Sequence, residues 1–194
     1  MAAVESTMLS LGTKAPTFHL LDVSGACINL HSITKQSKGV LIIFICNHCP
    51  YVKYINKKLV QVAQQYIPLG ISFIAINSND TEKYPSDSFE NMIHVAKEEN
   101  YGFPYLFDEN QEVAKAYQAA CTPDFYLFDE SLQLVYRGQF DKSRPGNEFP
   151  VSGEDVTHAI NNLLHKQPNL DIQIPSVGCN IKWKAGNEPD YFFR

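Results

Sequence analysis

The run GVLIIFIC at residues 39–46 carries no charged or amide side chain and no apolar/polar alternation, which describes a strand covered on both faces of a sheet. A strand of that kind needs other layers packed on both sides, so it commits the chain to an α/β architecture. Val52, Ile55, Leu59, Val62 and Tyr66 then recur at three- and four-residue steps with Lys and Gln between them, predicting an amphipathic helix that ends near Pro68-Leu69-Gly70. A second apolar run at residues 71–76 completes a strand, helix, strand unit, which implies parallel strands joined by a right-handed crossover. The end of the first strand and the start of the helix therefore share one edge of the sheet, where such folds hold their functional loops.

Two short apolar stretches at 17–22 and 27–30, separated by Ser24-Gly25, read as an N-terminal hairpin. Helices are expected at 86–97, 110–118 and 153–165, and a short strand at 105–108. The runs at 125–129 and 132–138, joined across Glu130-Ser131, read as an antiparallel hairpin that closes a mixed sheet. Beyond Lys166 the prolines at 168, 175 and 189 break any periodicity and no regular element is expected. The division is thus one domain over residues 9–165 and an extension over 166–194, which Ile181, Trp183, Tyr191 and Phe192 would draw back onto the domain.

With 44% hydrophobic and 12% aromatic residues the chain can bury a core. A formal net charge of -5 argues against nucleic acid, whose backbone is bound through Lys and Arg. No apolar run approaches the roughly 18 to 20 residues of a membrane span, and the N-terminus lacks a signal-peptide pattern, so a cytoplasmic protein without a membrane partner is expected. Five cysteines, at 27, 46, 49, 121 and 179, form an odd set with one close pair, which suits a reducing compartment. Cys27, in a short strand, is expected in the core.

That pair, Cys46-Asn47-His48-Cys49, falls at the junction of buried strand and amphipathic helix, where a two-residue spacer lets the sulfurs close a disulfide. The positive end of the helix would stabilise a thiolate at Cys46, making it the attacking sulfur, with Cys49 resolving from within and Pro50 suiting the first turn. Two readings compete. Both cysteines could be ordinary buried side chains, or Cys46, His48 and Cys49 could ligate zinc or copper, although structural zinc wants a second ligand pair that the sequence does not show. Neither a metal nor another cofactor is expected.

The strand, Cys-x-x-Cys, helix order resembles the thioredoxin superfamily, and the wider chain resembles its peroxiredoxin-like, AhpC/TSA-type branch. The resemblance is carried by LGTKAPTF at residues 11–18, CNHCPYVK at 46–53 and GCNIKWK at 178–184. It implies a thioredoxin-like fold, a mixed central sheet flanked by helices, and places Pro123 as the cis-proline opposite the cysteines, with Thr122 lining a substrate-docking groove. It also brings Cys121 near the pair as a third redox partner or a bland buried thiol. Cys179, if the tail folds back, becomes a candidate resolving thiol. The Cys-x-His-Cys spacing is similar to that of strongly oxidising members of the superfamily, so a cationic His48 would favour the thiolate.

The activity implied is thiol-disulfide oxidoreduction through Cys46 and Cys49 in redox homeostasis. Its substrates would be protein or small-molecule thiols and disulfides, and its electron donor of the thioredoxin or glutathione type. A thiol peroxidase acting on peroxide is the second reading, with Arg137 a candidate for the arginine such enzymes use. The Pro-x-x-x-Thr-x-x-Cys loop of typical peroxiredoxins is missing, since counting back from Cys49 meets Cys46 and Ile42. A metal- or partner-binding module on the same fold is the third.

Overall fold

The computed structural model describes residues 3–193. In chain order the elements are strands β1 (Ala3–Glu5), β2 (His19–Asp22) and β3 (Cys27–Asn29), helix α1 (Leu30–Thr34), strand β4 (Gly39–Phe44), helix α2 (Pro50–Tyr66) and strand β5 (Ile71–Asn77). Helix α3 (Phe89–Glu98), strand β6 (Tyr105–Phe107), helix α4 (Glu112–Ala116) and strands β7 (Cys121–Thr122), β8 (Asp124–Asp129) and β9 (Leu134–Gly138) follow, then helix α5 (Glu154–Leu164) and strand β10 (Val177–Asn180).

Every residue of β4 is buried. Its odd side chains, Leu41 and Ile43, join a core with Ile55 and Leu59 of α2, Met92 of α3 and Val156 and Ile160 of α5. Its even ones, Val40, Ile42 and Phe44, join a second core with Leu30 of α1 and Val113 and Ala114 of α4. Period-2 alternation thus sends one strand into two cores, and each enclosed Ile or Leu stabilises the fold by about 1.5–3 kcal/mol. β4 pairs in parallel with β5 and antiparallel with β8, within a sheet of order β3-β2-β6-β5-β4-β8-β9. The expected mixed sheet with helices on both faces is what forms.

Several local expectations shift for physical reasons. The helix expected from residue 86 begins at Phe89, with Ser88 as its cap, because Pro85–Asp87 makes a separate 3-10 turn. Helix α1, which is capped by the Asn29 side chain, is too short to show periodicity. Cys27 is exposed rather than in the core, since β3 is an edge strand.

The largest difference lies in the tail. Its segment VGCN has no branched or aromatic run beyond Val177, so nothing local marks it as a strand. It becomes β10 because it completes a second sheet of order β1-β10-β7, with Ala3 opposite Cys179 and Cys179 opposite Thr122. Ile181 and Trp183 then enter the second core, so the extension packs on the domain. Gly178 permits the approach: a Cβ there would lie 2.0 Å from the Thr122 carbonyl oxygen. Gly178→Ala must push β10 away from β7, and we expect it to destabilise the protein by about 1–3 kcal/mol, read as a lower urea midpoint.

Candidate active site

Beyond β4 the chain continues through Ile45, whose N–H bonds the Ile76 carbonyl at 3.0 Å, into a bend formed by Cys46, Asn47 and His48. Cys49 is the N-cap of α2 and Pro50 its first residue. The bend is held by a carboxylate from far along the chain. Asp87, fully buried, accepts the backbone N–H of Asn47 at 2.8 Å and of His48 at 3.2 Å on Oδ1. Its Oδ2 accepts the Asn79 side-chain amide at 2.8 Å and lies 2.6 Å from His48 Nδ1. Asn47 is fixed on both sides, donating to the Ser86 carbonyl and accepting from the Tyr105 hydroxyl, each at 2.9 Å.

This carboxylate also sets the state of His48. An acceptor-only partner at Nδ1 assigns the proton to that nitrogen, while Nε2 is buried with no hydrogen-bond partner among the described residues. The ring stacks on Tyr84, centroids 5.6 Å apart and planes within 5°, and Lys182 Nζ sits 5.8 Å from the Tyr84 ring centre. His48 is thus paired with the buried Asp87 carboxylate, with the Cys46 sulfur 3.9 Å from Nδ1. No sequence signal marked Asp87, Asn79 or Tyr84, since each lies far from the cysteines in the chain and none falls in a motif.

All five cysteines are free thiols. The neighbouring Cys49 side chain first, then burial and the nearby Asp87 carboxylate, push the Cys46 thiol well up. The Cys46 side chain is in turn the main cause that brings Cys49 down to about 5, aided by the Thr122 side chain and the backbone of Val52 and Cys179, against the opposing effect of burial. The helix-end argument thus bears on Cys49 rather than Cys46, because Cys49 is the N-cap of α2 and the Val52 backbone favours its anion. Cys46 is the sulfur that faces outward: with His48, Lys53, His94, Glu98 and Tyr101 it lines a cleft of about 610 Å³.

The other sequence candidates divide. The Thr122-Pro123 peptide is cis, and Thr122 lies against both sulfurs, its Oγ1 3.6 Å from Cys46 Sγ and its carbonyl oxygen 3.1 Å from Cys49 Sγ. The docking edge expected at Thr122 is already occupied, since β10 pairs with it and Thr122 is 3% exposed. Cys121 is buried against the Pro123 and Ser176 carbonyls, and burial pushes its thiol up. Arg137 is not brought to the cysteines: it sits on edge strand β9 with its guanidinium on the Leu9 carbonyl and the Gln173 side chain. Asp108, Asp124 and Asp141 are all buried, and burial raises Asp124 to about 7. Cys179 lies in the core with Cys46 and Cys49.

A model of the AhpC/TSA family matches residues 11–137. The chain belongs to the AhpC/TSA family. A crystal structure of an uncharacterised conserved protein from Geobacillus kaustophilus is 55% identical, covers 95% of this chain and 97% of its own, and superposes with a TM-score of 0.92. The thiol-disulfide oxidoreductase ResA of Halalkalibacterium halodurans is 25% identical over 68% of this chain and 69% of its own length. The thioredoxin domain of a thiol-disulfide oxidoreductase from Bacteroides vulgatus, 17% identical, covers 80% of this chain and 99% of its own with a TM-score of 0.62, which shows a shared thioredoxin-like fold. The family match ends before α5 and the tail, yet in this AhpC/TSA chain the tail reaches the site. The backbone N–H of Lys182 donates to Asn79, which in turn donates to Asp87.

Among the described residues, Cys46, His48 and Asp87 place ligand-competent atoms within 4.8 Å of one another. Both Asp87 oxygens and His48 Nδ1 are already committed to hydrogen bonds, so a cation would have to break the Asp87–His48 pair to bind. Asp87→Ala strands those donors without an acceptor, and we expect it to cost about 3 kcal/mol, measured by urea denaturation of the reduced protein.

Proposed function

We propose that the protein is a thiol-disulfide oxidoreductase whose working groups are Cys46 and Cys49. The observation that carries this reading is the convergence of both sulfurs on Thr122 at the head of a cleft, Cys46 Sγ 3.6 Å from its Oγ1 and Cys49 Sγ 3.1 Å from its carbonyl oxygen, with Cys49 brought down to about 5 beside Cys46. A pair held that way is a preformed disulfide site with an internal base. As Cys46 attacks a substrate disulfide from the cleft, its proton passes to the Cys49 thiolate, a mixed disulfide forms at Cys46, and the first substrate thiolate leaves. That thiolate takes the proton from Cys49, which then attacks the Cys46 sulfur and releases the second thiolate. The net change is one substrate disulfide reduced to a thiol and a thiolate, and one Cys46–Cys49 disulfide formed.

The substrates of this reading are thiols and disulfides small or extended enough to enter the cleft, with a thioredoxin- or glutathione-type donor returning the pair to the dithiol, in a cytoplasmic role in redox homeostasis. No helix among the described residues is long and apolar enough to cross a membrane. Peroxide is the weaker substrate, because Arg137 is engaged elsewhere and the peroxide-organising loop is replaced.

Titration against glutathione redox buffers with peptide mapping tests the reading: a reversible loss of two hydrogens within the Cys46 to Cys49 peptide is expected. Cys46→Ala should abolish that change and Cys49→Ala should trap mixed disulfides at Cys46. A wild-type chain that never forms the bond sinks the reading.

The acid shift makes a second measurement decisive. Since the monoanion of the pair is fully populated above about pH 6, iodoacetamide should modify Cys46 at nearly the same rate at pH 6 and pH 8, whereas a free cysteine peptide slows roughly 100-fold. Folding lowers the Cys49 pKa from 9.0 to about 5, so its contribution to stability is complete above pH 9 and is lost as the pH falls through 5. Asp124, raised to about 7, acts in the opposite sense between its unfolded and folded values, so the clean readout is a difference. The gap in urea midpoint between wild type and Cys49→Ser should widen from pH 5 to pH 9.

A further inference from the structure

Cys49 has a second sulfur beside it. β10 lies antiparallel against β7 with Cys179 opposite Thr122, the residue whose carbonyl oxygen lies 3.1 Å from Cys49 Sγ. That register sets Cys179 next to Cys49, and the Cys179 side chain and backbone both act on the Cys49 sulfur electrostatically. Cys46, Cys49 and Cys179 therefore form a row, with Cys49 in the middle. The row exists because Gly178 has no side chain: a Cβ there would meet the Thr122 carbonyl carbon at 2.6 Å and Pro123 N at 3.2 Å, and β10 could not close on the loop. Cys121, the other buried cysteine nearby, is turned instead to the Pro123 and Ser176 carbonyls.

All three sulfurs belong to nearly fully buried residues, and the outer two differ in what they adjoin: Cys46 lines the cleft, whereas neither Cys49 nor Cys179 does. We propose that Cys179 is an alternative disulfide partner of Cys49, so that a bond first made between Cys46 and Cys49 moves inward to join Cys49 and Cys179. This rests on the oxidoreductase reading of the same site. In the step, the Cys179 sulfur attacks Cys49 Sγ and the Cys46–Cys49 bond breaks with its electron pair leaving on Cys46. The proton lost by Cys179 ends on Cys46. One S–S bond replaces another, no electrons are gained or lost, and no outside oxidant is consumed.

The local electrostatics let this step switch on only after oxidation. In the dithiol state Cys179 is held up, to about 12, by burial, by its hydrogen bond to Cys49 and by the Cys49 negative charge. The last two causes vanish once Cys49 is in a disulfide, while the Lys182 ammonium, which favours the Cys179 anion, remains. The consequence is functional. Cys46 returns to the cleft as a free thiol able to engage a second substrate molecule, while the oxidised pair is shielded from external reductants. The same bond ties the C-terminal extension to the start of α2.

Cys46→Ser and Cys46→Ala chains, checked as folded by circular dichroism, are oxidised with diamide, alkylated, digested and mapped by mass spectrometry beside the wild type. A linked peptide joining Cys49 to Cys179, two hydrogens lighter than its parts, with loss of alkylation at both positions, is the expected result in either variant. Cys49 and Cys179 both remaining alkylatable, or Cys49 joined to Cys121 instead, overturns the proposal. A wild type that forms Cys46–Cys49 while the variants form nothing defeats the relay and leaves the oxidoreductase reading standing. A wild type that forms neither Cys46–Cys49 nor Cys49–Cys179 defeats that reading separately. In the full-length oxidised protein, a fraction of Cys46 should alkylate and this fraction should fall to zero in Cys179→Ser. Equal labelling of Cys46 in the two chains also overturns the relay.

Discussion

The enclosure of β4 on both faces is the constraint on which the rest of the structure depends. A strand that cannot face water has to be flanked by β5 and β8 and covered by α2, α3 and α5 on one side and α1 and α4 on the other. Its direction then determines where the chain emerges, and the emerging loop carries the cysteines. Because β4 and β5 are parallel, the loop after β4 and the segment after β5 leave from the same edge. That shared edge is what lets Asn79 and Asp87, which follow β5, close beneath the bend that follows β4.

At this edge the charge is arranged around a negative group rather than a positive one. Asp87 gathers two backbone amides, an amide side chain and the His48 ring, and adds to the Cys49 side chain and burial in pushing the Cys46 thiol up. Cys49, three positions on, has the opposite surroundings: the amides at the start of α2, the Thr122 hydroxyl and the Cys179 N–H all favour its anion. Two residues that look equivalent in a Cys-x-x-Cys motif are therefore driven apart. The outward thiol keeps the proton and the inward one carries the charge, a division of labour suited to attack from a cleft with an internal acceptor for the proton.

The tail is part of this arrangement rather than an appendage. β10 covers the edge of Thr122, delivers Cys179 to Cys49, and Lys182 brings both a backbone donor for Asn79 and a cation over Tyr84. Buried pairing of this kind also removes an exposed strand edge beside the reactive sulfurs.

The central elements were legible in the sequence because their signals are local. The unbroken run of β4, the three-and-four spacing of α2 and the turn between β8 and β9 each express a pattern within a few residues, and the position of Cys46 and Cys49 at the strand-helix junction follows from them. What tertiary structure alone decided is everything that depends on partners distant in the chain. The strand character of Val177–Asn180 comes from the free edge of β7, and the fate of Arg137 from the Leu9 carbonyl and Gln173. The assignment of charge within the cysteine pair comes from Asp87 and from the exact residue at which α2 begins, because an electric field and a hydrogen bond act through space, over distances that a linear pattern does not encode.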